Sequence, residues 1–387
     1  MKYFYALLFT CMMASFGGEV QAQSNFMNRV KGAFSGPSEM KIGNYKFKDG
    51  STYTGEMKSR KPNGKGTTLF PNGDTYEGEY VKGKREGYGI YTFAEGERYE
   101  GEWSNDKPHG KGTYYFVNNN RYEGAWEHGV RQGQGNMYYH NGDVYVGFWH
   151  QNKRQGTGSY TWRDGSRYVG GWENDKKHGE GIFSWNDGAH YEGGMKEDLR
   201  HGKGTYEYAH GDKYIGDWKE DLQHGKGIYE FQNGDRYEGD YRDGQRSGNG
   251  IFTSVEGEKY VGSFKDGFRD GRGTSVWSHG AEYEGEWKED KRHGKGKYIW
   301  GNGDIYEGEW QNDRMHGQGK FTIATGGYYK GGYVDGLKEG SGIEVDSKGV
   351  RYEGFFKQDQ KDGPFIETDS NGNVIRKGEY TMGRIKR

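Results

Sequence analysis

Large rings and glycines alternate with polar residues along this chain on a beat that does not slip. In the segment from Tyr283 to Ile305, YEGEWKEDKRHGKGKYIWGNGDI, the first, third and fifth positions are Tyr283, Gly285 and Trp287, with acids between them. Side chains on a strand alternate between the two sides of a sheet, so Tyr, Gly and Trp share one face. A second alternating run follows, in which Gly294, Gly296, Tyr298 and Trp300 are expected to share a face. Apolar–polar alternation rich in aromatics predicts strands, and the Asn302-Gly303-Asp304 link predicts a hairpin turn. The same turn signal recurs at Asn72-Gly73, Asn141-Gly142 and Asn233-Gly234.

The pattern is a repeat. Tyr-x-Gly begins every 23 residues, fourteen times, at Tyr53, Tyr76, Tyr99, Tyr122, Tyr145, Tyr168, Tyr191, Tyr214, Tyr237, Tyr260, Tyr283, Tyr306, Tyr329 and Tyr352. The third and twelfth positions are always glycine, and the fourteenth departs from glycine only at Phe365. The fifth position is a large aromatic except at Met57 and Met195. A fixed period of this length signals an array of stacked units rather than a globule built around one active site. Glycine weakens a strand unless another group needs its space, so each ring is expected to pack over a neighbouring glycine. At two strands per unit and ~4.8 Å per strand, the array should run to about 130 Å.

Tyr-x-Gly-x-Trp followed by a polar loop and Gly-x-Gly closely resembles the MORN repeat family over residues 53–374. The resemblance implies an all-β fold, an elongated single-layer antiparallel sheet of successive β-hairpins. It also implies scaffolding and protein association, with contact to membrane phospholipid as a further proposed role. Phe365 and Asn119, which stands where a turn glycine is expected, are local departures. The repeats fill the chain and leave no kinase-like segment to hold ATP, so the chain is expected not to be an enzyme and to need no cofactor.

Composition changes this picture only in part. The chain has 387 residues, 30% of them hydrophobic, with 72 glycines, figures that by themselves suggest disorder. The 33 tyrosines, 19 phenylalanines and 11 tryptophans, held in phase, point instead to a thin continuous core. A net charge of −2 gives no global basic surface, so nucleic acid is not an expected partner.

Outside the array, residues 1–22 read as a signal peptide: Lys2, then a mostly apolar run from Tyr3 to Phe16, then Val20-Gln21-Ala22 before Gln23. That places the mature chain in a periplasm or outside the cell. Cys11, the one cysteine, lies inside this segment behind a poor lipoprotein box, so lipid anchoring is not expected. Residues 23–40 read as a linker, 41–52 as an N-terminal half-repeat cap, and 375–387 as a C-terminal half-repeat cap containing Gly378-Glu379-Tyr380.

Two surfaces are candidates for binding. The aromatic face carries Trp103, Trp126, Trp149, Trp172, Trp218, Trp287 and Trp310, which would either stack as core or, where exposed, grip an apolar partner or a glycan. A basic edge carries Arg131, Arg154, Arg200, Arg246, Arg269, Arg292 and Arg314, suited to lipid phosphates unless neighbouring acids such as Asp290 and Asp313 neutralise it. Gly285, Gly294, Gly296 and Gly303 are expected to be structural.

Other constellations have plainer readings. His109, His178, His201, His224, His293 and His316 precede the invariant glycine, but equivalent positions lie ~10 Å apart, too far for two to share a zinc ion. Glutamates at position two, such as Glu284 and Glu307, are expected to pair across strands with bases at position thirteen, such as Lys295. The Asn-Gly-Asp turns lack EF-hand spacing, and the Gly-x-Gly pairs lack the third glycine of a nucleotide fingerprint.

Overall fold

A computed structural model describes residues 40–386. The signal segment, its Ala22 boundary, Cys11 and nearly all of the linker lie outside the described residues. Among the described residues the chain forms thirty-one strands and no helix. It divides into two compact units, one ending at Pro108 and the other beginning at His109.

In the second unit the strands Glu282–Lys288, Lys291–Ile299 and Ile305–Gln311 pair antiparallel in chain order. The first two are joined by Glu289 and Asp290, both with positive φ (49° and 65°). That left-handed pair gives a two-residue turn whose twist matches its strands. Asn174-Asp175 and Asn312-Asp313 turn in the same way. The next connection, through Asn302-Gly303, is not a two-residue turn. Trp300 N–H donates to the Asp304 carbonyl (2.9 Å), Gly303 N–H donates to the Trp300 carbonyl (2.8 Å), and Gly303 alone among the turn residues has positive φ (87°). Three residues make this loop, a type I turn closed by a left-handed glycine.

The register locates the core. Gly285 faces Gly296, Gly296 faces Gly308 and Gly308 faces Gly319, so a column of glycines runs across the strands. A Cβ on Gly285 would stand 2.5 Å from the Tyr283 hydroxyl and 2.6 Å from Gly296 Cα. The tyrosine ring therefore occupies the space of two missing side chains, as the alternation of rings and glycines predicts. Tyr283 is fully buried and packs edge-to-face on Trp287 (5.1 Å, 87°) and on Trp310 of the next unit (5.5 Å, 83°). Its hydroxyl donates to the Glu286 carbonyl (2.9 Å), and Trp310 Nε1–H donates to the Gly296 carbonyl (3.2 Å). Each ring buries roughly 150–250 Å², or about 4–6 kcal/mol of transfer free energy before conformational entropy is counted. Burial pushes the tyrosine hydroxyls up, to about 12 for Tyr260.

Gly294 corrects one expectation. A bulge shifts the register between Gly285 and Glu286, and Gly294 takes φ of 58°. A Cβ there would meet the Glu286 side chain, so Gly294 does not share the face of Gly296 and Tyr298. Trp300 lies in the turn, packed on Tyr298 (4.5 Å) and Phe321 (5.2 Å).

In the first unit Lys41–Lys46 pairs with Thr52–Lys58, setting Gly43 against Gly55 and Tyr45 against Tyr53. In the second, Val374–Thr381 pairs with Gln360–Thr368, setting Gly378 against Phe365 and Arg376 against Glu367. Phe365 stacks on Tyr352 (5.5 Å), and Arg376 closes an ion pair with buried Glu367 (2.6 Å).

Candidate binding surface

The aromatic face is a core. Trp103, Trp126, Trp149, Trp172, Trp218, Trp287 and Trp310 are all buried, the most exposed being Trp126 at 8%. All seven pack against the repeat tyrosines, and five of them, Trp149, Trp172, Trp218, Trp287 and Trp310, are also covered by arginines of the expected basic edge. Arg292 lies 4.4 Å from the centroid of Trp310 in the next unit, and its Nε is 3.1 Å from Asp313 Oδ1. Arg154 covers Trp172 (4.2 Å) and pairs with Asp175 (3.1 Å). Arg200 covers Trp218 (4.3 Å) and pairs with Asp221 (2.9 Å). Arg269 covers Trp287 (4.3 Å) and pairs with both Asp290 and Glu258. Arg131 covers Trp149 (4.3 Å) and binds Asn152, while Arg246 covers Phe264 (5.4 Å) and donates to the Gly267 carbonyl (2.7 Å). Burial pushes the Arg131 guanidinium down. Six of the seven arginines thus clasp one unit to the next through a cation–π contact and hydrogen bonds. Arg314 differs. It stands one position earlier, 64% exposed, 3.7 Å from Asp335.

The opposite, outer face is polar and open, and the bulge sets its pairing. Position two does not face position thirteen. Glu307 lies opposite Lys297 and Lys320, both at position fifteen, while Lys295 at position thirteen faces Glu309 at position four of the next unit. The cross-strand pairs follow that register: Lys203–Asp217 (2.6 Å) and Lys226–Asp240 (2.5 Å). Partial burial raises the Asp217 carboxyl, but the Lys203 ammonium and the Lys226 N–H outweigh it and hold the group below its usual value. His293 and His316 sit opposite Glu286 and Glu309 in the same region.

Position four has a second task, hidden in the sequence. The bulge frees the N–H of position thirteen, and the position-four carboxylate accepts it: Lys65 N–H to Glu56 (2.7 Å), Lys226 to Asp217 (3.0 Å), Asn249 to Asp240 (3.0 Å) and Gln318 to Glu309 (3.2 Å).

Aliphatic side chains interrupt the polar face. The register makes one row of Val146, Ser159, Val169 and Ile182, and another of Ile215 beside Ile228 and Ile251 beside Val261. Phe148 and Val169 are each 42% exposed and Val261 is 46% exposed. Nearer the C-terminus a shallow groove of about 490 Å³ is lined by Ile343, Phe355, Pro364 and Ile366 with Lys330 and Glu353. The outer aliphatic row was missed by sequence reasoning, which favoured the rings. The signal available was the replacement of glutamate by Val146, Val169, Ile215 and Val261 at position two.

A sequence profile described as the MORN repeat matches fourteen consecutive segments, the first at residues 53–75 and the last at 352–374. Among curated proteins nothing matches the chain. Similar solved structures include the SAS-4 (dCPAP) TCP domain of Drosophila melanogaster in complex with a proline-rich motif of Ana2, at 14% identity, covering 40% of this chain and 85% of that one, with a TM-score of 0.26. The TCP10 domain of Danio rerio CPAP in complex with a STIL peptide is 10% identical over 70% of this chain and 94% of that one, TM-score 0.20. Virginiamycin B lyase from Staphylococcus aureus is 13% identical over 66% and 85%, TM-score 0.13. At such TM-scores the likeness carries no argument about function.

Proposed function

Because the chain belongs to the MORN repeat family, we propose that it is a non-enzymatic scaffold, acting in the cell envelope or outside the cell, whose outer face holds another protein or a second copy. The observation that carries this is the outer aliphatic row. Val169, Ile215, Ile251 and Val261 are 37–46% exposed on a face that also carries many charged and polar side chains. Branched apolar side chains left in water at regular steps form a surface that gains by being covered. The seven tryptophans at position five are buried and have almost no free area to contribute, and six of the arginines are already engaged. Both facts favour the outer face over a ring-lined glycan site or an electrostatic lipid edge.

The test is retention of proteins from envelope extract, or self-association by sedimentation, at low and high salt. Apolar docking should persist as salt rises. Val169→Asp, Ile215→Asp and Val261→Asp together should abolish it while leaving the thermal melt in place. Retention on anionic liposomes that requires Arg314, with no protein bound, would overturn the proposal.

A further inference from the structure

The outer face of the first compact unit is acidic. Its register lays out two rows of side chains there, about 7 Å apart at two residues along each strand. Glu77 and Glu100 stand in one row, and Glu56, Glu79 and Glu102 in the other. Lys65, opposite Glu79, is the one cation in either row among the described residues. Arg98 pairs with Glu100 from the start of its strand (3.0 Å). Apolar side chains stand among the carboxylates. Ile90 lies between Glu77 and Glu100, Tyr88 beside Glu102, and Ile42 opposite Glu56.

The chain enters the sheet on this face. Met40, the first described residue, is 52% exposed, and Ile42 is 84% exposed. A Cβ on Gly64 would meet both the Glu56 carboxylate and Met40 Sδ (2.9 Å), so Met40 lies against Glu56. Residues 23–39 therefore join the array beside the glutamate rows. They lie outside the described residues, but their sequence is amphipathic. At about 100° per residue, Phe26, Met27, Val30, Ala33 and Phe34 fall within a helical arc of about 120°, with Arg29 on one flank and Lys31 on the other. Glu39 is the segment's only acid. Gly36-Pro37 ends such a helix and provides a turn back to Met40.

We propose that residues 25–35 dock as a helix on the acidic outer face of their own chain. The apolar arc covers Ile42, Tyr88 and Ile90, and Arg29 and Lys31 each reach one row of glutamates. The lengths agree. Residues 25–35 run about 16 Å as a helix. The strands from Thr52–Lys58 to Arg98–Ser104 span about 19 Å at ~4.8 Å per strand. A basic amphipathic helix of another protein would meet the same chemistry. The covalent tether at Met40 favours the chain's own segment, because a short linker holds it at an effective concentration of roughly millimolar.

The test is hydrogen–deuterium exchange of the full chain, read by mass spectrometry over residues 25–35 and compared with a free synthetic peptide of residues 23–39. The segment should exchange at least about tenfold more slowly in the chain than in the peptide. Glu77→Lys, Glu79→Lys and Glu102→Lys together should return it to the peptide's rate. The strands around Tyr76 and Tyr99 should keep their own protection, which separates lost docking from lost folding. Arg29→Glu with Lys31→Glu should also free the segment, and joining the two sets of changes should restore its protection. A segment that exchanges at the peptide's rate in the unaltered chain, or protection indifferent to both charge reversals, overturns the proposal. Protection that grows with protein concentration places the segment on a second copy or another partner and overturns it as well. Docking at Val169, Ile215 and Val261 stands or falls separately, since those residues lie in the second unit.

Discussion

The two sides of the same strands obey opposite rules. On the inner side of the second unit, each turn of the repeat places a tyrosine over facing glycines and a large apolar side chain beside it, and variation is small: Met195 stands for one tryptophan and Tyr241 for another. On the outer side, equivalent positions range from Glu284 to Val261 and from Glu286 to Phe148. A side chain whose space is defined by three neighbours has few substitutes, whereas one that faces water is free to be chosen for a partner. The uniform face therefore builds the sheet, and the varied face is where individuality, and so recognition, resides.

The comparison breaks most visibly on the inner side. Trp310→Ala should destabilise by about 3–5 kcal/mol, since it empties a buried site and leaves Arg292 and the Gly296 carbonyl without their partner. Chemical denaturation of the full chain measures it. Gly285→Val should cost about 3 kcal/mol, because the new side chain would overlap the Tyr283 hydroxyl and the facing backbone. Its neighbour across the sheet, Glu284→Val, should change the midpoint hardly at all. Equal losses at 284 and 285 would show the faces to be misassigned.

Smaller effects sharpen the comparison. Arg292→Ser should cost about 1–2 kcal/mol through loss of the clasp to Trp310 and Asp313, without altering association on the outer face. Glu286→Ala should cost about 1 kcal/mol by uncapping the Lys295 N–H.

Alkali should act through the inner face. Tyr260 titrates at about 12 in the folded chain against 10.0 for a free tyrosine, with burial as the leading cause. A raised folded value means the stabilisation is fully present below the unfolded value and is lost as pH rises through the folded one. Melting temperature should therefore fall between about pH 10 and 12, with tyrosinate absorbance appearing together with unfolding. Tyrosinate that titrates near pH 10 in a chain that stays folded would contradict the burial.

Much of this was legible in the sequence. The 23-residue beat, the face shared by Tyr283, Gly285 and Trp287, and the role of glycine as space for a ring all follow from period-two alternation. What was not legible depends on register. Glu289-Asp290 contains no glycine, and its left-handed turn is set by the pairing around it. The bulge leaves Gly294 and Lys295 as extra residues between His293 and Gly296, which pair with adjacent Glu286 and Gly285, and position thirteen faces position four of the next unit rather than position two. The arginines read as an edge because their tryptophan partners lie in the following unit, a neighbourhood that exists only once units stack.

The most direct test places a photo-crosslinking benzoylphenylalanine at Phe148 on the outer face or at Trp162, a partly exposed ring on the aromatic side, in otherwise unchanged full-length chains. Each is irradiated in envelope extract and alone. The account predicts protein adducts from position 148 and none from position 162. Adducts from 162 with none from 148 would contradict it, and would return recognition to the aromatic face.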